Sequence, residues 1–450
     1  MTDILNIVIL AAGKGTRMKS KMLKVLHPLA DSTIIDHILQ SSYQLSPDKI
    51  IMVYGHQGQQ LKKHLCHEDI HWIAQDNPQG TGHALQLAMS QVEHNAKVLI
   101  LVGDAPLIEV EDLNGLLQFD QAVLSAVMSN PFGYGRIVKN EQGLVQAIVE
   151  EKDATDAQKQ LTEINSGIMI ASASDLNKWL TQIDSNNAQG ELYLTDIIAL
   201  AHADKKSFHT VQVSNPQSIK GINDRLQLAE CESIRQSQLR KHLMYQGVYM
   251  PDPHNVQIRG KITCGQDIRI DTGVILQGTN EIADDVSIGA YSIVNNCQLG
   301  KGTRIAPHSI LENVVTMGDC DIGPFARLRS GTRVATKAKI GNFVETKKAT
   351  IGINSKASHL SYLGDCEIGN NVNIGAGTIT CNYDGVNKFK TVIEDDVFIG
   401  SDSQLIAPVT IEKGATIGAG TTLTKDAIAG QLTLSRTKQH TIKNWKKPKK

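Results

Sequence analysis

The chain has 450 residues, of which 41% are hydrophobic and 4% aromatic, and a formal net charge of -1. That length predicts two or three domains with packed cores, and the balanced charge argues against nucleic acid or a membrane surface as partner. Seven scattered cysteines, an odd number with no C-x-x-C pair, predict a reducing compartment with neither a disulfide framework nor a zinc site.

At the N-terminus no basic segment precedes an apolar run, and no stretch carries the ~18 uninterrupted apolar residues of a membrane helix. A cytoplasmic protein without membrane insertion is expected. Before about residue 225, short apolar runs alternate with helical patterns. Ile4 to Leu10 predicts a buried strand ending in a glycine loop, and Ile50 to Val53 and Val98 to Val102 predict further strands. Between them, His83 to Val92 sets Leu85, Leu87, Ala88 and Val92 on one helical face. The alternation predicts an α/β domain with a Rossmann-like, mostly parallel sheet. Ligands bind such sheets beyond the carboxyl ends of strands, so Ala11 to Arg17 and Gly103-Asp104 are candidate site segments.

Arg225 to Gln246 has few turn residues, with Leu226, Ala229, Leu239 and Leu243 at helical spacing. It predicts a connecting helix, ended by Pro251 and Pro253. The expected partition is 1–225, a helical linker 226–246, and 247–450.

The last part keeps a different beat. Ile399, Leu405, Ile411, Ile417 and Leu423 stand six residues apart, as do Ile322, Leu328, Val334 and Ile340, and Ile282, Ile288 and Val294. Glycine often follows the aliphatic. This is the hexapeptide signature of a parallel β-helix, in which each repeat makes one side of a triangular coil. The thin prism also suits the low aromatic content. Cys381 to Lys390 interrupts the beat and predicts an extruded loop. The lysine-rich end, Lys443 to Lys450, reads as a solvated tail.

The loop Leu10-Ala-Ala-Gly-Lys-Gly-Thr-Arg-Met18 is neither a Walker loop nor a dinucleotide fingerprint. Gly13 and Gly15 still let backbone N–H groups approach a phosphate, with Arg17 and Lys24 as cations nearby. Taken alone, the loop is equally a tight strand-to-helix turn with solvated charges, and Asp104 a commonplace acid at a strand end.

The whole string resembles the L-x-x-G-x-G-T-R-M motif of the nucleoside-triphosphate sugar nucleotidyltransferases. Gln75-x-x-x-x-Gly80-Thr81 resembles their base-reading segment, and Gly103-Asp104-Ala-Pro-Leu their metal-binding strand end. Gly341 to Ala349, Ala357 to Asp365, Asn373 to Gly377 and Cys381 to Gly385 resemble the acetyltransferase half of a bifunctional bacterial family. That family joins N-acetylglucosamine-1-phosphate uridylyltransferase to glucosamine-1-phosphate acetyltransferase, and the resemblance spans nearly the whole chain. It implies a left-handed β-helix, a homotrimer, and synthesis of UDP-N-acetylglucosamine for peptidoglycan and lipopolysaccharide. UTP and acetyl-CoA would be co-substrates, and Mg²⁺ would be held by Asp104 and Asn223.

By the same resemblance, Leu10, Ala11, Ala12, Gly13, Arg17, Lys24, Gln75, Gly80, Thr81, Val102, Gly103 and Asp104 would bind the nucleotide. Gly135, Glu150, Asn165 and Asn223 would line the sugar and phosphate side. His359 would be the catalytic base, oriented by Glu345. Arg329, Lys347, Tyr362 and Asn373 would bind the amino-sugar phosphate, and Ala376, Asn382, Tyr383, Ser401, Ala419 and Arg436 acetyl-CoA. Two departures stand out: Leu23 where the family often has proline, and Val102 where tyrosine is common. Two other readings stay open: a single-activity sugar nucleotidyltransferase whose β-helix serves assembly or regulation, and a β-helix scaffold with a vestigial enzyme domain. The first leaves the histidine, acids and cations grouped around the repeat interruption without a purpose, and the second predicts loss of the glycine-loop or metal residues; this chain keeps both sets.

Overall fold

The structure, a computed structural model, describes residues 4–56, 58–67 and 69–448. The chain divides into two compact units, Met1–Arg235 and Gln236–Lys450.

Apolar runs form the centre of the first unit. Strands β1 (Leu5–Ala11), β2 (Lys49–Tyr54), β3 (Ile70–Ala74) and β4 (Lys97–Val102) are parallel, in the order β4-β1-β2-β3. Ile7, Val8, Ile9, Val98, Leu99 and Ile100 are wholly buried, as strands covered on both faces must be. The sheet continues through β5 (Ala122–Val127), β6 (Arg136–Lys139), β7 (Val145–Val149), β8 (Glu163–Ser172) and β9 (His209–Gln212). Here the chain departs from a simple alternation, because β8 lies antiparallel between β4 and β5. A register shift between Asn165 and Met169, with Gly167 at φ +80°, bends β8 beside the end of β4.

The ends of β1 and β4 close on each other. Gly103 N–H donates to the Leu10 carbonyl at 2.9 Å, and a side chain on Gly103 would lie 2.9 Å from that same oxygen. Only glycine allows this approach. The helix expected from His83 begins earlier, as α1 (Thr81–Ala88), and tightens into a 3₁₀ turn at Met89–Gln91.

Helix α2 (Arg225–Tyr245) carries the division between the units. On the first-unit side, Arg235 grips Asp31 through two hydrogen bonds of 3.0 and 2.9 Å, and Glu232 accepts from the Ala30 N–H. On the second-unit side, the Gln236 amide bonds both the N–H and the carbonyl of Ile258, and Arg240 donates to the Val256 carbonyl.

The second unit is a stack of parallel coils. Its short strands form parallel sheets of 17 and 10 members. Partners recur 17 or 18 residues on, as in Leu276↔Val294, Val294↔Leu311 and Leu405↔Leu423. The six-residue aliphatics point inward, with Ile399, Leu405, Ile411 and Ile417 wholly buried. One coil is longer: Thr380 pairs with Leu405, 25 residues on. The surplus is the expected insertion, folded back so that Phe389 N–H meets the Asn382 carbonyl at 2.9 Å and Tyr383 bridges Lys388. On one corner Tyr291, His308, Phe325 and Phe343 stack face to face on successive coils, 4.9–5.4 Å between centroids. Residues 434–448 are exposed. Lys449 and Lys450, the end of the lysine-rich tail, lie outside the described residues. All seven cysteines are free. Among the described residues no helix is long and apolar enough to cross a membrane.

Candidate active sites

In the first unit a cavity of about 420 Å³ opens at the carboxyl ends of β1 and β4. Leu10, Ala11, Ala12, Gly13, Lys24, Gln75, Gly80, Thr81, Val102, Gly103 and Asp104, all picked out from the sequence, line it. Lys14, within the Ala11 to Arg17 segment but not singled out there, lines it too, as does Glu191, which was missed. Lys14 sits inside the glycine loop, so the motif itself was the available signal. Glu191 comes from a loop with no pattern to mark it. Arg17 is exposed on the 3₁₀ turn Thr16–Met18 and is not among the lining residues.

At the cavity floor, the buried Lys24 ammonium lies 2.6 Å from Asp104 Oδ2 and 3.1 Å from Asn223 Oδ1. Residues far apart in sequence thus share one cation between a carboxylate and an amide oxygen. Two hard oxygens converging on a positive charge also suit Mg²⁺, which uses few protein ligands and keeps several waters. The wall at Gln75 and Gly80 is closely packed. Gln75 is 3% exposed, and its Nε2 donates to the Gly80 carbonyl at 3.1 Å and meets His83 Nδ1 at 3.2 Å. Gly80 has φ +117°, and any side chain there would strike Leu192 backbone.

Gly135, Glu150 and Asn165 form a second cluster. Asn165 N–H donates to the Gly135 carbonyl at 2.9 Å, and a Cβ on Gly135 would touch the Glu150 carboxylate. Burial raises the Glu150 carboxyl above its ordinary range, while the Thr195 hydroxyl, donating at 3.2 Å, works the other way. Thr195 carries no motif and was not anticipated.

The β-helix gathers its groups by register instead. Asn342 pairs with His359 on the next coil. Gly377 N–H bonds the Leu360 carbonyl, Asp402 N–H that of Ala376, and Gly420 N–H that of Ser401. His359, Ala376, Ser401 and Ala419 therefore form one column over successive coils. Arg436 closes it, its Nε donating to the Ala419 carbonyl at 2.9 Å. Within the corner below His359, Gly375 and Gly377 spend their N–H groups on neighbouring coils, whereas the Ala376 N–H donates to nothing among the described residues.

Beside this column lies a cationic patch. Arg329 and Lys347 occupy equivalent places on adjacent coils, following the Leu328↔Thr346 pair. Lys388, from the inserted loop, faces Lys347 closely enough to lower its pKa, with Arg329 adding to the effect. Lys388 was not foreseen, although it lies in the segment that breaks the repeat. Tyr362 follows Glu345 on the next coil, and Asn373 follows Lys356 on the other sheet. Asn382 bonds Asp365 at the base of the loop, and Tyr383 is exposed above it.

One expectation meets a different arrangement. Glu345 does not bond His359 among the described residues; its carboxylate takes Arg329 at 2.8 Å. The register explains this. Glu345 stands against Tyr362, whereas His359 stands against Asn342.

A nucleotide-sized cavity at the end of a parallel sheet, and a histidine column on a hexapeptide-repeat coil, define a chain with two transferase-type domains. Residues 7–162 match the MobA-like NTP transferase domain, and residues 390–425 the bacterial transferase hexapeptide (six repeats). The chain is 48% identical over 452 residues to the bifunctional protein GlmU of Janthinobacterium sp. (strain Marseille), covering 99% of each. It belongs to the family of bifunctional GlmU proteins.

Proposed function

We propose that the β-helix transfers an acetyl group from acetyl-CoA to glucosamine 1-phosphate. The α/β unit then joins the product, N-acetylglucosamine 1-phosphate, to UMP from UTP, releasing pyrophosphate. The observation that carries this reading is the coexistence of two sites: the Lys24–Asp104–Asn223 cluster in one unit and the His359 column beside its cationic patch in the other.

A sugar 1-phosphate is largely dianionic at neutral pH, its second pKa being ~6. It needs no general base to attack the α-phosphorus. It needs alignment and charge neutralisation, which Lys24, Lys14 and the Gly13 backbone at the cavity would supply. Asp104 and Asn223 would hold Mg²⁺, which when bound would neutralise phosphate charge as a Lewis acid. Gln75, Gly80 and Thr81 would face the base, and Gly135, Glu150 and Asn165 the sugar.

In the β-helix the amino-sugar nitrogen attacks the thioester carbon, His359 accepts the nitrogen's proton, and the C–S bond breaks to release the thiolate. A neutral imidazole is a common acceptor for such a proton. The unpartnered Ala376 N–H is the natural donor to the developing oxyanion. Arg329, Lys347 and Lys388 would take the substrate phosphate, with Tyr362 and Asn373 about the sugar. Glu345 would act chiefly by fixing Arg329. Ala376, Asn382, Tyr383, Ser401, Ala419 and Arg436 would contact acetyl-CoA.

The chain is further proposed to work in the cytoplasm as a homotrimer assembled through its β-helices. The exposed Tyr383 and Val386 on the inserted loop favour reach toward a neighbour. Sedimentation of the intact protein tests the assembly; a fully active acetyltransferase monomer refutes it. Separate assays of the two half-reactions test the function. Asp104→Ala is expected to lower uridylyl transfer by at least ~10²–10³-fold and leave acetyl transfer intact. Loss of both activities in a folded variant would contradict two independent sites.

A further inference from the structure

We infer that Arg136, through its ion pair with Glu151, is a positioning residue that sets the sugar-phosphate specificity of the first site by holding the Gly135 amide beside the Glu150 carboxylate. The inference rests on the uridylyl-transfer reading above.

Arg136 is 2% exposed, an unusual place for a guanidinium. Burying such a charge costs free energy even when it is paired, and here the cost is not fully offset, because Nε has no hydrogen-bond partner. What the residue secures is geometry. One terminal nitrogen donates to the Tyr134 carbonyl, and the other to Glu151 Oε2 at 2.7 Å. The same carboxylate oxygen accepts from the Gly133 N–H at 3.0 Å. The turn is therefore tied at Gly133 and Tyr134, the two residues before Gly135. From the other side, Asn165 N–H holds the Gly135 carbonyl.

Gly135 itself is left with one free group. It is buried, yet its N–H donates to nothing among the described residues. A buried donor without a partner is costly unless a ligand supplies the acceptor. Its neighbour in space is Glu150, the acceptor side of the same cluster. The consecutive acids Glu150 and Glu151 thus divide the work. Glu150 lies against Gly135 with its carboxyl raised by burial, and Glu151 holds the clamp, its own carboxyl kept low by the Gly133 N–H and Arg136. A hydroxyl or amide oxygen on the sugar is the class of group that an N–H donor beside a carboxylate can select.

The test separates positioning from folding. Steady-state kinetics are measured on the full chain for Arg136→Met, Arg136→Lys and Glu151→Gln. Acetyl transfer by the β-helix and thermal melting serve as internal controls. Arg136→Met is expected to raise the Michaelis constant for N-acetylglucosamine 1-phosphate about tenfold, with that for UTP changed less than about twofold. Arg136→Lys should recover part of the loss, because it keeps the charge beside Glu151. Glu151→Gln should give the same selective rise in milder form, and it carries the test if Arg136→Met fails to fold. Equal rises for both substrates, or no rise in folded variants, overturn the inference. Absence of uridylyl transfer in the parent chain would instead overturn the reading beneath it.

Discussion

The two candidate sites are assembled in opposite ways. In the α/β unit, residues at 24, 104 and 223 meet within 3.1 Å because strands and loops from the whole unit converge on one cavity. In the β-helix, residues 359, 376, 401 and 419 align because each coil repeats the one before it. Convergence yields burial, and burial tunes charge: Lys24 is almost covered, and Glu150 is held toward its neutral form. Repetition yields an exposed ledge, where His359 is reached from solvent. A fold can thus build a site by long-range packing or by register alone, and the two should fail differently.

The largest effect tests the ledge. His359→Ala is expected to lower acetyl transfer by ~10²–10⁴-fold, the usual contribution of general-base assistance, with acetyl-CoA affinity little changed. Uridylyl transfer from supplied N-acetylglucosamine 1-phosphate should be unaltered. A folded variant that acetylates at the parental rate would return the β-helix to a scaffold.

The next test damages register without touching any proposed contact. Leu405 is wholly buried in the prism, and Leu405→Ala should destabilise the β-helix by about 2–5 kcal/mol. The α/β unit has its own buried clusters, so uridylyl transfer should persist at temperatures where acetyl transfer is lost. Activity-loss curves for the two reactions would check this, and coincident curves would erase the contrast.

A smaller effect concerns the patch. Lys388→Ala removes an exposed charge from the inserted loop and is expected to raise the Michaelis constant for glucosamine 1-phosphate about tenfold, the scale of one hydrogen bond to a charged group. Turnover should change little, since His359 is untouched. A fall in turnover at constant Michaelis constant would place Lys388 with the reacting atoms instead.

The smallest effect belongs to the buried side. Asp196 has its pKa raised from 3.8 to about 6, first by burial and then by Asp184 and Asp153. The folded state therefore binds this proton more tightly than the unfolded state. Stability from this group is present below about pH 4 and is lost as pH rises through about 6. Asp196→Asn should flatten that part of the melting-temperature profile. An unchanged slope would show that the carboxyl is better hydrated than its surroundings imply.

Much of this was legible in the sequence, though unevenly. The six-residue beat declared the coils because each buried aliphatic reports one side of the prism, and residue contacts there span only one coil. The glycine loop and Gly103-Asp104 were legible because strand ends in parallel sheets are marked by small residues after apolar runs. The antiparallel β8 was not. Its sequence Glu163-Ile-Asn-Ser-Gly-Ile-Met-Ile carries a register shift that hides the alternation of a strand. Asn165, at the start of that shift, is the residue whose N–H meets the Gly135 carbonyl. Thr195, Glu191 and Lys388 were hidden for a related reason: their roles depend on chain segments that no local pattern brings together. The pairing of Glu345 with Arg329 shows the limit from the other side. Glu345 and His359 lie on adjacent coils, but the register sets Glu345 against Tyr362, three residues along from the place where His359 meets Asn342.

The stacked coils also act as a measuring stick. Adjacent strands in a sheet lie about 4.8 Å apart, so the four-coil column from His359 to Ala419 is graduated in steps of that size and runs roughly 15 Å. A long ligand lying along it would be read at fixed intervals, with the reactive group at the His359 end. Duplicating one 18-residue coil between Ser401 and Ala419 would preserve every inward-facing aliphatic and every strand pairing. It would also move Arg436 one graduation away from the histidine. Length, elsewhere an outcome of packing, would here become a quantity adjustable in whole steps.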